Sequence, residues 1–317
     1  MTKIKNYLSL IKFSHTIFAM PFALIGFFLA FTKGVLIDGN FYGLGFGQWS
    51  LNMTTGWGWD ITNFAFWILF LKRLLLVILC MIFARSSAMA FNRYLDRSFD
   101  AKNPRTAIRE IPAGIIKANS ALLFTIICCL LFVVCCYFIN PLCLALSPVA
   151  LFVVLGYSFT KRFTPLCHLI LGLGLSLAPI GAYLAVTGHF ALLPILFSFT
   201  VLFWVSGFDI IYALQDEEFD KSQNLYSIPA WLGKVKALRV SEILHLLCAA
   251  CLVYAGFYGQ FGMWYWIGVI LFQALLIYQH TLVKPTDLSK VNLAFATTNG
   301  IASVVFAIFV ITDLFMH

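Results

Sequence analysis

Two short stretches of this 317-residue chain carry carboxylates at spacings that suit metal chemistry. The first, FNRYLDRSFDAKNPRT (Phe91 to Thr106), sets Asn92, Asp96 and Asp100 four residues apart. On a helix each such step turns the side chain by about 40°, so the three oxygen donors share one stripe. That set suits Mg²⁺, which accepts carboxylates, waters and phosphate oxygens. The second stretch, FDIIYALQDEEFDK, sets Asp209, Asp216 and Asp220 on another stripe, with Tyr212 on the same face. Asp209 lies deeper in its apolar run, where an ionisable group is costly and marks function. Glu217 and Glu218 point elsewhere and are expected to be solvated. A lone Asp beside Arg93 or Arg97 would read as a solvated helix end, but the pattern occurs twice.

Two carboxylate stripes at one membrane face repel unless cations lie between them. A pair of Mg²⁺ ions bridging a diphosphate answers that electrostatically. Arg105, Arg109, Lys161, Arg162 and Lys221 are near enough in sequence to neutralise the remaining phosphate charge. A diphosphate held this way is a good leaving group.

The elements that position these groups are membrane helices. The chain is 62% hydrophobic and 11% charged, with mean hydropathy +0.93, far from a soluble composition. Runs of about 20 apolar residues predict nine spans: 15–32, 73–95, 118–139, 141–158, 165–186, 191–215, 238–258, 262–283 and 292–314. The expected fold is all-α and polytopic, one integral-membrane domain over 1–317, in contact with lipid. A long outer connection at 33–71, rich in Gly and Trp, suits the membrane interface as a lid or interfacial helix. With the N-terminus inside, 18 of the 21 Lys and Arg fall on the inner side. That asymmetry sets the N-terminus in the cytoplasm and the C-terminus outside. It also accounts for the net charge of +8 without nucleic acid. The bacterial inner membrane is the expected location.

The nine cysteines lie mostly in apolar runs and behave as small hydrophobes. Cys248 and Cys251 form a C-x-x-C inside a span, with no second pair, so neither zinc nor redox chemistry is expected. His15 precedes the first deep run, where interfacial packing competes with contact to a substrate carboxylate. His168, His189, His245, His280 and His317 show no ligand spacing and read as structural. Pro21, Pro179 and Pro194 start or kink helices, and GLGLSLAPIGA (Gly172 to Ala182) supplies small residues for close packing.

RSSAMAFNRYLDRSFDAKNPRT, YSFTKR and DIIYALQDEEFD together resemble the UbiA superfamily of intramembrane prenyltransferases over most of the chain. The resemblance implies a helical ring around a central cavity with a cytoplasmic cap. It implies Mg²⁺-dependent transfer of a polyprenyl chain from its diphosphate to an aromatic acceptor. Asn92, Asp96 and Asp100 would then hold one Mg²⁺, and Asp216 and Asp220 the other. Tyr157 and Lys161 would contact the diphosphate, with Arg105 and Arg109 assisting. Aromatic faces would stabilise the allylic cation. Asp209 is the candidate for acceptor orientation or proton removal; for Tyr212, core packing is an equal reading.

IKFSHTIFAMPFAL resembles the 4-hydroxybenzoate polyprenyltransferase branch and its MqnP-type relatives of the menaquinone futalosine pathway, which the sequence does not separate. Ile108 and Glu110 depart from the Asn and Pro common in that branch. The alternatives are a haem, chlorophyll or dihydroxynaphthoate prenyltransferase, or an ion-coupled secondary transporter. The clustering of the acids at one face, away from mid-membrane, argues against the transporter.

Overall fold

The computed structural model describes residues 3–11, 18–33, 35–37, 40–42 and 64–316. Lys12, Ser14 and His15 lie outside the described residues. A short N-terminal helix, α1 (Lys3–Leu10), precedes α2 (Met20–Thr32). A two-stranded hairpin, β1 (Val35–Ile37) and β2 (Asn40–Tyr42), opens the outer connection, where the sequence suggested a helix or lid.

Among the described residues, eight helices are long and apolar enough to cross a membrane. They begin with α3 (Phe64–Leu95), which leads into the short α4 (Arg97–Lys102). Next come α5 (Ala118–Ile139), α6 (Pro141–Thr160), α7 (Cys167–Thr187) and α8 (Leu192–Ala213). A single 3₁₀ turn, Leu214–Asp216, and α9 (Glu217–Ser222) follow, then α10 (Ile228–Tyr258), α11 (Met263–Leu282) and α12 (Asn299–Met316). The first expected span, 15–32, is helical only over the 13 residues of α2 among the described residues. The protein is an all-α polytopic membrane protein.

Chain neighbours pack side by side, and α12 returns to α2. α2 packs against α7, α12, α8 and α3. Its side chains Phe22, Ile25, Phe27 and Leu29 are wholly buried. Phe22 lies between Trp204, Phe272 and Phe306, at centroid distances of 5.3, 6.3 and 5.8 Å. Part of the aromatic wealth of the chain is therefore spent on this core. Lipid-side positions such as Leu130, Phe152, Leu246 and Ile270 are exposed, as expected for helices solvated by acyl chains.

Two glycines set the spacing of the packed helices. A Cβ at Gly26 would lie 2.0 Å from the Pro179 carbonyl oxygen, so α2 meets the α7 backbone directly. A Cβ at Gly172 would lie 2.3 Å from Ser206 Oγ and 2.5 Å from the Leu202 carbonyl oxygen, which brings α7 onto α8.

Two of the cations excluded from the charge-rich end cap helix carbonyls at the other. Lys33 Nζ donates to Gly259 O (2.6 Å) and Arg73 Nη1 to Val186 O (2.6 Å). Asp313, buried at the same end, accepts from the Gly262 and Tyr265 N–H groups that open α11 (2.8 and 3.1 Å). Helix termini leave such groups without intrahelical partners, and each of these contacts satisfies one.

A cavity of about 350 Å³ runs between α3, α5, α6 and α7. Its wall on α3 includes Val77, Cys80, Met81, Ala84, Arg85 and Ala88. That stripe, continued by one turn, arrives at Asn92.

Candidate active site

At the charge-rich end, four acids are paired one to one with four bases. Arg105 donates to both carboxylate oxygens of Asp216, from Nη2 to Oδ2 and from Nε to Oδ1, the latter at 3.2 Å. Arg109 Nη1 lies 2.7 Å from Asp100 Oδ1. Lys161 Nζ lies 2.7 Å from Asp220 Oδ1. Arg162 Nη2 lies 2.9 Å from Asp96 Oδ1. These pairs join the ends of α3 and α8 to the loop after α4 and to the α6–α7 turn.

Local structure explains the placement. The backbone bonds Asn92 O to Asp96 N (2.9 Å) and Asp96 O to Asp100 N (2.8 Å), so helical spacing persists across the break between α3 and α4. Asn92 Nδ2 donates to Asp96 Oδ2 at 3.1 Å, as neighbours on one stripe should. On the other side, the 3₁₀ turn separates Asp209 from Asp216 and α9 carries Asp220.

The repulsion expected between the stripes is thus offset by the protein's own cations. With Asp96, Asp100, Asp216 and Asp220 against Arg105, Arg109, Lys161 and Arg162, the eight groups sum to zero. An arriving diphosphate brings negative charge that this neutral set does not cancel. Asp100 Oδ2 is buried with no hydrogen-bond partner, which leaves an oxygen available to a hard cation. Among the described residues, no three acidic, His or Cys side chains converge as a ready-made metal cage. Mg²⁺ does not need one, because it keeps several waters and substrate oxygens.

Burial pushes the Asp96 carboxyl above its ordinary range, against the pull of Arg162 and Lys161. Burial pulls Lys161 down, but Asp220 outweighs it and the ammonium ends above its usual value. Arg105 is raised in the same way by Asp216 and Tyr212.

A second polar layer lies below the first. Asp209 is seven residues before Asp216 on α8, and Arg85 seven before Asn92 on α3, each about 10 Å deeper. Tyr157, on the wall of the cavity, is within electrostatic reach of Arg85, Asp96 and Asp209. Arg85 also lines the cavity, and its Nε has no hydrogen-bond partner. Tyr212 joins the layers. Its hydroxyl accepts from Arg105 Nη1 (2.8 Å), while its ring packs on Phe295 at 4.3 Å.

Several sequence expectations meet a different arrangement. Glu217 is buried, not solvated, and takes Lys221 at 2.6 Å and Lys234 at 3.9 Å. Lys221 is therefore turned to Glu217 and not brought to the other bases. His168, read as structural, has its Nδ1 2.7 Å from Asp209 Oδ2. His245 and His280 are joined at 2.8 Å between α10 and α11, far from the paired acids in sequence. Asn103 was missed: its Nδ2 donates to Asp216 Oδ1 (3.2 Å) and its Oδ1 accepts from Arg105 N (3.0 Å). The signal was the Asn-Pro pair of a turn. Glu110 accepts from Ser9 Oγ and fastens α1 to this loop. Ile108 is 81% exposed and touches none of the paired groups.

A family model described as the UbiA prenyltransferase family matches residues 51–306. The chain belongs to this family. It is 32% identical over 242 residues to a 4-hydroxybenzoate octaprenyltransferase of Nitrosomonas europaea, spanning 76% of this chain and 82% of the relative. It is 30% identical to the enzyme of that name from Aeromonas salmonicida, spanning 74% and 80%. The apo structure of a UbiA homolog from Aeropyrum pernix K1 superposes with TM-score 0.75 at 26% identity, covering 94% of this chain and 98% of that one. A UbiA homolog from Archaeoglobus fulgidus bound to DMAPP and Mg²⁺ shares the fold, with TM-score 0.68 at 19% identity over 98% and 100%. The protein is a UbiA-family prenyltransferase.

Proposed function

We propose that this prenyltransferase moves a polyprenyl chain from its diphosphate to an aromatic acid, of the 4-hydroxybenzoate type, in quinone biosynthesis. The observation that carries the reading is the two-layer site. A charge-balanced mouth of four acids and four bases stands about 10 Å above Arg85 and Asp209 and about 6 Å above Tyr157. An apolar cavity adjoins the lower layer and suits the isoprenoid. The relatives named above support the acceptor class.

Asn92, Asp96 and Asp100 would hold one Mg²⁺, and Asp216 and Asp220 another. Bound there, Mg²⁺ would supply the positive charge that a departing diphosphate requires. The protein's own cations do the rest at the mouth. Arg105, Arg109, Lys161 and Arg162 exchange part of their carboxylate contacts for phosphate oxygens. Arg85, a cation with an unpartnered Nε in the cavity wall, receives the acceptor's carboxylate. The ring of Tyr157 faces the developing allylic cation, in a cavity whose other walls are mainly aliphatic. A ring carbon of the acceptor bonds to C1 of the prenyl chain as the C1–O bond to diphosphate breaks. Asp209 takes the ring proton, and aromaticity returns.

The charge asymmetry supports a bacterial inner-membrane protein with the paired acids and the N-terminus on the cytoplasmic side. The test is product analysis. Purified protein with Mg²⁺, labelled prenyl diphosphate and a panel of aromatic acids should prenylate 4-hydroxybenzoate. A dihydroxynaphthoate or other quinone precursor as the sole acceptor would redirect the assignment within the family.

A further inference from the structure

Buried His168 and partly buried Asp209 form a pair that the paired acids and bases do not include. The His168 side chain is 4% exposed and that of Asp209 22% exposed, with Nδ1 and Oδ2 2.7 Å apart. The tautomer is fixed by a third group. Ile228 opens α10, and its N–H has no acceptor within the helix. It donates instead to His168 Nε2, at 3.4 Å. Nε2 is thus the acceptor nitrogen, and the ring proton sits on Nδ1, facing the carboxylate. Ser227 caps the same helix start, its Oγ accepting from Ala230 N at 3.2 Å.

The approach of the two helices is also built in. Gly172, one turn after His168, meets Leu202 O and Ser206 Oγ closely enough that no Cβ fits. Ser206, one turn before Asp209, shares its Oγ proton between Leu202 O at 2.7 Å and His168 O at 3.2 Å. A backbone contact, a hydroxyl and a helix N-terminus therefore all hold one imidazole against one carboxylate.

We infer that His168 is a positioning residue for Asp209: its Nδ1–H fixes Oδ2 and leaves Oδ1 to take the proton from the acceptor ring. This rests on the reading of Asp209 as the proton acceptor. A carboxylate on a flexible side chain samples several rotamers, and a charged hydrogen bond selects one. His168 keeps its own proton throughout, because Nε2 is occupied by the Ile228 N–H. The proton taken by Asp209 passes to the departing diphosphate or to water at the charge-rich mouth, and the neutral prenylated product leaves without it.

The test uses purified full-length protein with Mg²⁺, labelled prenyl diphosphate and 4-hydroxybenzoate. Asp209→Asn, His168→Leu, His168→Asn and His168→Gln are compared, with thermal stability measured on each. His168→Leu should lower kcat roughly 10- to 100-fold, the scale for losing the orientation of a base. The KM for prenyl diphosphate should stay within about twofold. His168→Asn, whose amide N–H reproduces Nδ1, should restore most of kcat, and His168→Gln, whose amide matches Nε2, should not. His168→Leu added to Asp209→Asn should cost nothing more. Wild-type kcat in His168→Leu, with Asp209→Asn inactive, overturns the inference alone. Wild-type kcat in Asp209→Asn overturns the underlying reading as well. Equal losses in Asn and Gln variants that track lost thermal stability reduce His168 to a packing residue and also overturn it. If the Leu variant does not fold, the Asn-against-Gln contrast decides.

Discussion

Lys161 Nζ lies 2.7 Å from Asp220 Oδ1, and Asp220 is wholly buried. The pair ties the end of α6 to α9 across the mouth of the bundle. A buried carboxylate that loses its cation is left with the desolvation cost and nothing against it. Lys161 is 34% exposed, so solvent reduces that cost to about 2 kcal/mol. Lys161→Met is expected to lower the melting temperature by several degrees, and Lys161→Met with Asp220→Leu to recover part of it. The folded ammonium is raised above 10.5. Its contribution is therefore complete below that pH and is lost as pH rises through the folded value. Melting curves of wild type against Lys161→Met should converge above pH 10.5 and not below it.

Arg105 uses a planar fork on Asp216 and a further N–H on Tyr212. Lysine carries the charge without that geometry. Arg105→Lys is expected to reduce kcat/KM about 10- to 100-fold, and Tyr212→Phe less than fivefold. Steady-state kinetics on the two variants measures the difference between bidentate positioning and charge alone.

Arg85 belongs to the lower layer, so its loss should separate the two substrates. Arg85→Gln is expected to raise the KM for 4-hydroxybenzoate at least about tenfold, the cost of one charged hydrogen bond. The KM for prenyl diphosphate should change less than twofold. Equal increases for both substrates would place Arg85 at the diphosphate instead.

Gly26 meets the Pro179 carbonyl where a Cβ would stand at 2.0 Å, whereas Gly181 faces open space. Gly26→Ala should force α2 off α7 and cost about 1–3 kcal/mol. Gly181→Ala should be neutral. Thermal melts followed by size-exclusion chromatography distinguish the two.

The sequence made one class of feature readable and concealed another. Steps of four and seven put Asn92, Asp96, Asp100 and the Asp209–Asp216 pair on faces, because helical periodicity is local information. The partners of those acids come from elsewhere: Arg162 is 66 residues from Asp96, and Arg105 is 111 from Asp216. No periodicity reports such distances, so Lys221 looked as suitable as Lys161 until Glu217 was seen to hold it. His168 was hidden for the same reason, being 41 residues from Asp209. Arg85 reads as one more inner-side cation until α3 places it on the cavity wall. The Phe residues divide between the core around α2, as Phe22 and Phe27 do, and lipid-side positions such as Phe152 and Phe257, while the cavity wall is largely aliphatic.

The central claim is that the two carboxylate stripes act together on one diphosphate. The most direct measurement is Mg²⁺-dependent product formation by Asp96→Ala, Asp100→Ala, Asp216→Ala and Asp220→Ala, each shown to insert and remain monodisperse. All four should lose at least about a thousandfold in kcat, the scale for removing the charge stabilisation of a leaving group. Turnover at the wild-type rate in any two of them would contradict the account.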